Sequence, residues 1–212
     1  MALTPLRKIL LREWAINLLL SGYYLYFARV HAEYVFETGE PTTLIFLIYE
    51  SLIIMLLLTR RTPKEVSFKS KDWIAATLGT FAPLMLTSQH QAFTGDFIIL
   101  ILQIIGMVIS LVGMCGLNRS FGIVPANRGV QVSGLYEVIR HPIYAGYFLS
   151  LTCFTLLNLP NIEVAARNIS ILLLTLTAII FRIRYEEALL IKDKKYQTLV
   201  EKTRYRILPG IW

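Results

Sequence analysis

Residues 97–117 read Phe-Ile-Ile-Leu-Ile-Leu-Gln-Ile-Ile-Gly-Met-Val-Ile-Ser-Leu-Val-Gly-Met-Cys-Gly-Leu, with no Asp, Glu, Lys, Arg or His among them. About 20 consecutive apolar residues are enough for a helix to cross the roughly 30 Å hydrocarbon core of a bilayer. Outward from this run, five more apolar segments can be drawn: Trp14–Val30, Thr42–Thr59, Trp73–Ser88, Ile143–Leu159 and Val164–Ile183. Thr80 to Pro83 is expected to bend the third, because an internal proline frees a backbone carbonyl. Composition agrees: 55% of the 212 residues are hydrophobic and 17% charged, against about 25% charged in an average soluble domain. The expected fold is all-α, a polytopic membrane helix bundle of about six spans.

Charge placement gives the orientation. If the N-terminus is cytoplasmic and all six segments cross, the cytoplasmic parts are 1–13, 60–72, 118–142 and 182–212. These hold 19 of the 21 Lys and Arg residues, leaving only Arg29 and Arg167 outside. The opposite loops carry Glu33, Glu37, Glu40, Asp96 and Glu163. This is the positive-inside pattern and it supports an even number of spans, with both termini cytoplasmic. It also accounts for the net charge of +7 through topology and anionic lipids, so the basic balance is no argument for nucleic acid as a partner. Arg7, Lys8 and Arg12 precede a long apolar stretch without a small-x-small cleavage pattern, so it reads as a first span rather than a cleaved signal.

Residues 60–72 read as a short solvated connector. Residues 118–142 hold Asn118, Gly122, Pro125, Asn127, Gly129, Ser133 and Gly134, which is turn chemistry, and an irregular loop of that length is usually functional. Residues 184–204 read as a charged continuation of the last helix, and Arg204–Trp212 as a tail with a Pro209-Gly210 turn and aromatics suited to headgroup depth. Cys115 and Cys153 lie inside apolar runs and read as packing residues. His31, His90 and His141 are not at metal-ligand spacing, no metal is expected, and no phosphate-cradling glycine loop occurs. Two regions are expected: 1–95, N-terminal transmembrane helices, and 96–212.

Two charged clusters sit at the ends of consecutive apolar segments. One is Arg140-His141-Pro142-Ile143-Tyr144; the other is Arg182-Ile-Arg-Tyr-Glu186-Glu187. Ionisable groups at such places are costly without partners and are functional candidates by default. A hairpin of the two helices would bring both clusters to one membrane surface. Arg182 and Glu186, four apart, share a helix face, and Glu187 and Arg184 point elsewhere. The spacing suits a solvated, salt-bridged helix end. It equally suits a site in which Glu186 accepts hydrogen bonds from a cofactor and Arg182 holds a substrate anion through its planar fork. Pro142 can open the following helix and expose its first amides to an anion, or Arg140 and His141 can simply anchor the helix among headgroups. Glu50 and Asn17, inside the second and first segments, read as interhelical hydrogen-bond partners.

The segment Ser133-Gly-Leu-Tyr-Glu-Val-Ile-Arg-His-Pro-Ile-Tyr-Ala-Gly146 resembles the signature of the isoprenylcysteine carboxyl methyltransferase family. Downstream, Arg182-Ile-Arg-Tyr-Glu-Glu-Ala-Leu-Leu190, Tyr196 and Arg204-Tyr-Arg-Ile-Leu-Pro-Gly-Ile-Trp212 are similar to that family's C-terminal part. The resemblance covers roughly residues 100–212. It implies an integral membrane, S-adenosylmethionine-dependent methyltransferase without a Rossmann domain, multi-pass, its active site facing the cytoplasm, with 96–212 as a catalytic core that holds a cytosolic cofactor site. By that likeness Gln131, Tyr136, His141, Pro142, Ile143, Tyr144, Glu186 and Glu187 bind the cofactor. Arg182 holds the substrate, and His141, Arg182 and Glu186 carry the catalysis. The implied partners are a lipophilic small-molecule or lipidated acceptor and membrane lipids, with a carboxylate such as an isoprenylcysteine-like group as the methyl acceptor.

Three alternatives stay open, one of them a non-catalytic lipid-binding or scaffold protein whose polar residues only set the topology. The Glu186-Glu187 pair also resembles the acidic pair of phosphatidylethanolamine N-methyltransferases, whose amine acceptor would need a base. NADPH-dependent sterol-type reductases carry a similar Arg-x-Pro-Asn-Tyr signature, but Ile143 stands where they have Asn.

Overall fold

The structure is a computed structural model that describes residues 5–39, 41–86 and 97–212, with side chains left out for 5–13, 38 and 41–43. The end of the third apolar segment at Ser88, His90, Glu40, Asp96, the side chains of Arg7, Lys8 and Arg12, and the boundary between 95 and 96 lie outside the described residues.

Helices dominate the described residues: α1 (Pro5–Thr38), α2 (Pro41–Thr59), α3 (Ser70–Phe81), α4 (Phe97–Leu117), α5 (Pro142–Leu157), α6 (Ile162–Leu190) and α7 (Lys194–Lys202). Two helical stretches, Phe97–Ser120 and Ile162–Leu190, are long and apolar enough to cross a membrane. Leu44–Thr59 and Pro142–Leu157 are apolar but shorter. The third expected span is different in kind. α3 has 12 residues and ends at Phe81, where Ala82–Met85 tightens into a 3-10 turn with Pro83 near its start. At about 1.5 Å per residue, α3 is roughly 18 Å long, too short to cross by itself. The bend read at Thr80–Pro83 is this change of helix type.

Close backbone approach organises the pair α4 and α5. α4 presents Gly106, Ser110 and Gly113 at helical spacing, and α5 presents Pro142, Gly146 and Ser150. A Cβ on Gly106 would lie 2.7 Å from the Ser150 nitrogen and 2.8 Å from the Gly146 oxygen; one on Gly146 would lie 2.6 Å from the Ser110 nitrogen. Side-chain-free positions let the two backbones touch, the usual basis of helix association where water supplies no hydrophobic force. Ser110 Oγ donates to the Ile143 carbonyl at 2.8 Å and ties the crossing. α6 starts on Asn161, whose side chain accepts from the amides of Glu163 and Val164, and packs Ala178 and Ile179 against Gly79 of α3.

Two segments are more ordered than the sequence suggests. Residues 60–72 and 118–142 pair with one another through β1 (Glu65–Val66) and β2 (Ala126–Asn127), antiparallel, with Glu65 opposite Asn127 and Val66 opposite Ala126. The Arg61, Lys64 and Ser67 amides extend the contact by donating to the carbonyls of Arg119, Asn127 and Pro125. The expected single continuation of the last helix is broken. α6 stops at Leu190, and the Asp193 carboxylate caps a separate α7 by accepting from the Lys195 amide at 3.0 Å. The same carboxylate accepts from Asn127 Nδ2 at 3.1 Å, so α7 is pinned to β2.

Candidate active site

α5 is entered through His141, whose backbone (φ −129°, ψ 63°) is neither helical nor fully extended, with Pro142 at its first turn. Proline's missing N–H costs nothing there, since the first amides of a helix have no internal partner. The backbone ahead of the helix is held from the tail: the amides of Arg140 and His141 donate to the carbonyls of Tyr205 and Arg206 at 2.9 and 2.8 Å. Thr203 Oγ1 donates to the Tyr136 and Glu137 carbonyls at 3.2 and 3.1 Å. The tail therefore pairs with the strip of chain that carries the histidine.

The C-terminal end of α6 runs alongside. Tyr144 donates its hydroxyl to Glu186 Oε1 at 2.6 Å, and Arg182 Nε donates to the same oxygen at 3.1 Å. The guanidinium also donates through Nη1 to Thr80 Oγ1 at 3.0 Å and through Nη2 to the Gly122 carbonyl at 3.1 Å. Its carbon lies 5.2 Å from the centre of the Tyr144 ring. Three of the five N–H donors of this arginine are thus already used. The His141 imidazole lies between the two acids, with Nε2 3.2 Å from Glu187 Oε1 and Nδ1 4.0 Å from Glu186 Oε2. Its ring stacks on Tyr144 with centroids 5.6 Å apart.

Glu187 points away from Arg182, as its helix position requires, but it is no solvated charge. It meets Arg140 Nε at 3.1 Å and accepts from Arg206 Nε at 2.8 Å. It ties the entry of α5 to the tail and does not line the cavity described next. Pro142 is also off that cavity: it is fully buried and packs against the position of Gly113.

Gln131, Tyr136, His141, Ile143, Tyr144 and Glu186 do line one cavity, together with Arg182. Its remaining walls come from the 120–130 strip and from Leu117, Arg140, Leu190, Tyr196 and Leu199. The space open to the centre of a water molecule is about 110 Å³, with a mouth to the outside. Gly129, at φ +109°, lets the strip turn beneath Gln131, and its amide donates to Asn127 Oδ1. Tyr136 donates its hydroxyl to the Gly113 carbonyl at 3.1 Å. Burial, with the nearby Glu186 charge adding, holds its phenol above the usual tyrosine range. Tyr196 is raised by burial and then by Glu187. Both phenols stay neutral at physiological pH; Tyr136 is a donor, and the Tyr196 hydroxyl is buried without a well-formed hydrogen bond. Glu186 Oε2 is the acceptor left over: its neighbour Oε1 takes two hydrogen bonds, while Oε2 has only the imidazole at 4.0 Å.

With that arrangement in view, comparison with protein families gives one match. Residues 98–192 match the model of the isoprenylcysteine carboxyl methyltransferase (ICMT) family. The resemblance carried by the two charged stretches is borne out. The ICMT match covers a little under half of the chain and supports a membrane methyltransferase. It takes in α4 but for Phe97, and the whole of the 118–142 strip, α5 and α6, hence His141, Tyr144, Arg182, Glu186 and Glu187. Outside it lie Thr80, which holds Arg182; Tyr196 of α7, which lines the cavity; and Thr203 and Arg206, which tie the end of the chain to Tyr136, Glu137 and Glu187. A search of curated proteins found none that matches the chain.

Thr80, Gly122, Arg140 and Arg206 are site residues that sequence reasoning did not assign. Gly122 carries no signal, since it contributes a backbone carbonyl that any residue could offer, and the Thr80 hydroxyl meets a partner 102 positions away, which no local spacing encodes. Arg206 was within reach: it belongs to the Tyr-Arg-Ile tail that carries part of the resemblance.

Proposed function

We propose that this chain transfers the methyl group of S-adenosylmethionine to a lipophilic acceptor, and that the acceptor group is a carboxylate of the isoprenylcysteine kind. The observation that carries the reading is the convergence of Glu186, Tyr144, His141 and Arg182 on one cavity inside the ICMT-matched region. The donor set fits the nucleotide. Glu186 Oε2 is a half-buried acceptor on the cavity wall, open to a hydroxyl or amine, and the Tyr136, Tyr144 and His141 rings offer flat faces. The sulfonium carries an already activated methyl, so an ionised acceptor can take it by one in-line displacement without a covalent enzyme intermediate.

The protein's tasks are then alignment and exclusion of water. Arg182 is locked by Glu186, Thr80 and Gly122, so its position costs no reorganisation, and its two remaining N–H groups face an acceptor anion. Tyr144 fixes the Glu186 carboxylate by the 2.6 Å bond. The carboxylate acceptor is favoured over a phospholipid amine by one feature. Each candidate base is already paired or assigned: Glu187 with Arg140 and Arg206, His141 with Glu187, and Glu186 through Oε1 with Arg182 and Tyr144, its Oε2 being the acceptor given to the cofactor. An amine must lose a proton to react, whereas a carboxylate is ionised already. The site sits on the cytoplasmic side, where the Lys and Arg residues concentrate.

The test is S-adenosylhomocysteine binding to protein in lipid nanodiscs, by calorimetry. Glu186→Ala is expected to weaken it at least tenfold, and Arg29→Ala, an exposed pair with Glu33, to leave it alone. Equal affinity in wild type and Glu186→Ala would remove Glu186 from the site. Labelled-methyl transfer to a lipid extract, with mass analysis of the product, then identifies the acceptor: an ester supports the carboxylate, an N-methyl product overturns it.

A further inference from the structure

A second cavity, larger than the first, lies among α1, α2, α4, α5 and the 3-10 turn after α3. The space open to the centre of a water molecule is about 270 Å³, against about 110 Å³ in the cavity above. Its walls are mainly apolar, with Phe27, Phe46, Ile53, Met107, Leu151 and Phe154 among them. Into this apolar space come His31, Tyr49, Glu50 and Gln103.

Their chemistry is out of proportion to any structural need. Glu50 stands in the middle of the apolar α2 and is 6% exposed. A carboxylate there is costly without partners and marks a functional candidate. His31 Nδ1 lies 2.9 Å from Glu50 Oε2, and the imidazole stacks on Phe46 with centroids 5.7 Å apart. That satisfies one carboxylate oxygen. The other, and the whole side-chain amide of Gln103, which is 8% exposed, have no hydrogen-bond partner among the described residues. The Tyr49 hydroxyl is buried without a well-formed hydrogen bond, although it lies beside those of Tyr147 and Ser110. An apolar cavity with a few convergent polar groups is the usual form of a small-molecule site. The family match explains only Gln103 by position; His31, Tyr49 and Glu50 precede it.

We infer that this cavity binds a lipophilic molecule carrying a group that both donates and accepts hydrogen bonds, a hydroxyl or an amide, seated between Glu50 and Gln103. The carboxylate oxygen can only accept, the tyrosine hydroxyl and the Gln103 NH2 donate, and the Gln103 carbonyl accepts. A pure donor such as an ammonium group leaves the donors without a partner, and a pure acceptor such as an ether leaves Glu50 without one. The two cavities share a wall. Thr80 lines the second and receives a hydrogen bond from Arg182, which lines the first. If the methyl-transfer reading holds, the occupant is the acceptor itself, and Glu50 and Gln103 select acceptors with a second polar group set back from the one that is methylated.

The experiment measures binding of tritiated farnesol and farnesyl methyl ether to the full chain in nanodiscs, with S-adenosylhomocysteine affinity read on the same samples. Wild type is expected to hold the alcohol at least tenfold more tightly than the ether. Gln103→Leu, which breaks no hydrogen bond among the described residues, and Glu50→Ala should each reduce that preference to below threefold and leave S-adenosylhomocysteine affinity unchanged. Equal binding of alcohol and ether by wild type overturns the inference, as does a preference that survives in Gln103→Leu. Loss of S-adenosylhomocysteine binding in wild type, with the alcohol preference intact, would sink the methyltransferase reading and leave this site standing.

Discussion

Glu187 shows what one side chain can hold together. Arg140, His141 and Arg206 belong to two chain segments some sixty residues apart, and one carboxylate meets all three. The Arg140 and His141 side chains are almost wholly buried, so the acid is their main compensation. Removing one partner of a buried ion pair costs about 3–5 kcal/mol, because the remaining charge is left uncompensated. Glu187→Gln keeps the shape and loses the charge. It is expected to lower the melting temperature by about 5 °C or more; a change under one degree would mean water already screens the cluster. The sequence placed Glu187 off the Arg182 face but could not say what it faced, because its partners come from residues 140 and 206, and no local spacing encodes a contact of that range.

At the scale of elements, the α4–α5 crossing is the most demanding feature. Gly146→Ala would drive a methyl into the α4 backbone, which cannot move aside as a side chain can, and overpacking of this kind costs about 1–3 kcal/mol or more. Gly22→Ala in α1 meets nothing within 4 Å and should stabilise by about 0.5–1 kcal/mol, through the helix cost of glycine alone. Thermal melts of the two variants should move in opposite directions. α4 coincides with its apolar run, and α5 and α6 lie within a few residues of theirs at most ends, because hydrophobic length is written locally. The β1–β2 pairing and the break before α7 were not legible. A two-residue strand has no periodicity, and the Asp193 cap was hidden in a charged stretch that reads equally well as helix.

That cap has a pH signature. Hydrogen bonds from Asn127 and from the Lys195 amide hold the Asp193 carboxyl below its usual range. A depressed acid stabilises the fold above its unfolded pKa, near 3.9, and the contribution fades as pH falls through the lower folded value. Asp193→Ala should therefore cost about 1 kcal/mol at pH 6, the usual worth of such a cap, and the gap to wild type should narrow by pH 3. A gap that stays constant between the two would assign the loss to something other than the charge.

Over the whole molecule, the candidate site draws on α3, the 118–142 strip, α5, α6 and the tail, and the tail closes it. Arg206→Ala combined with Thr203→Val removes the side-chain ties at Glu187 and at Tyr136 and Glu137. The double variant should keep its helical circular dichroism, cut S-adenosylhomocysteine affinity several-fold and expose the 203–212 segment to trypsin. Unaltered affinity would separate the tail from ligand retention. General membrane character was readable from apolar length and charge placement, whereas this closure was not, since it rests on backbone hydrogen bonds from residues 140 and 141 to 205 and 206. Synthesis gives those bonds a further meaning. A nascent chain that has already produced residue 186 has yet to produce the segment that pairs with Arg140 and His141, so the backbone ahead of α5 stays unpaired until residues 203–206 have left the ribosome.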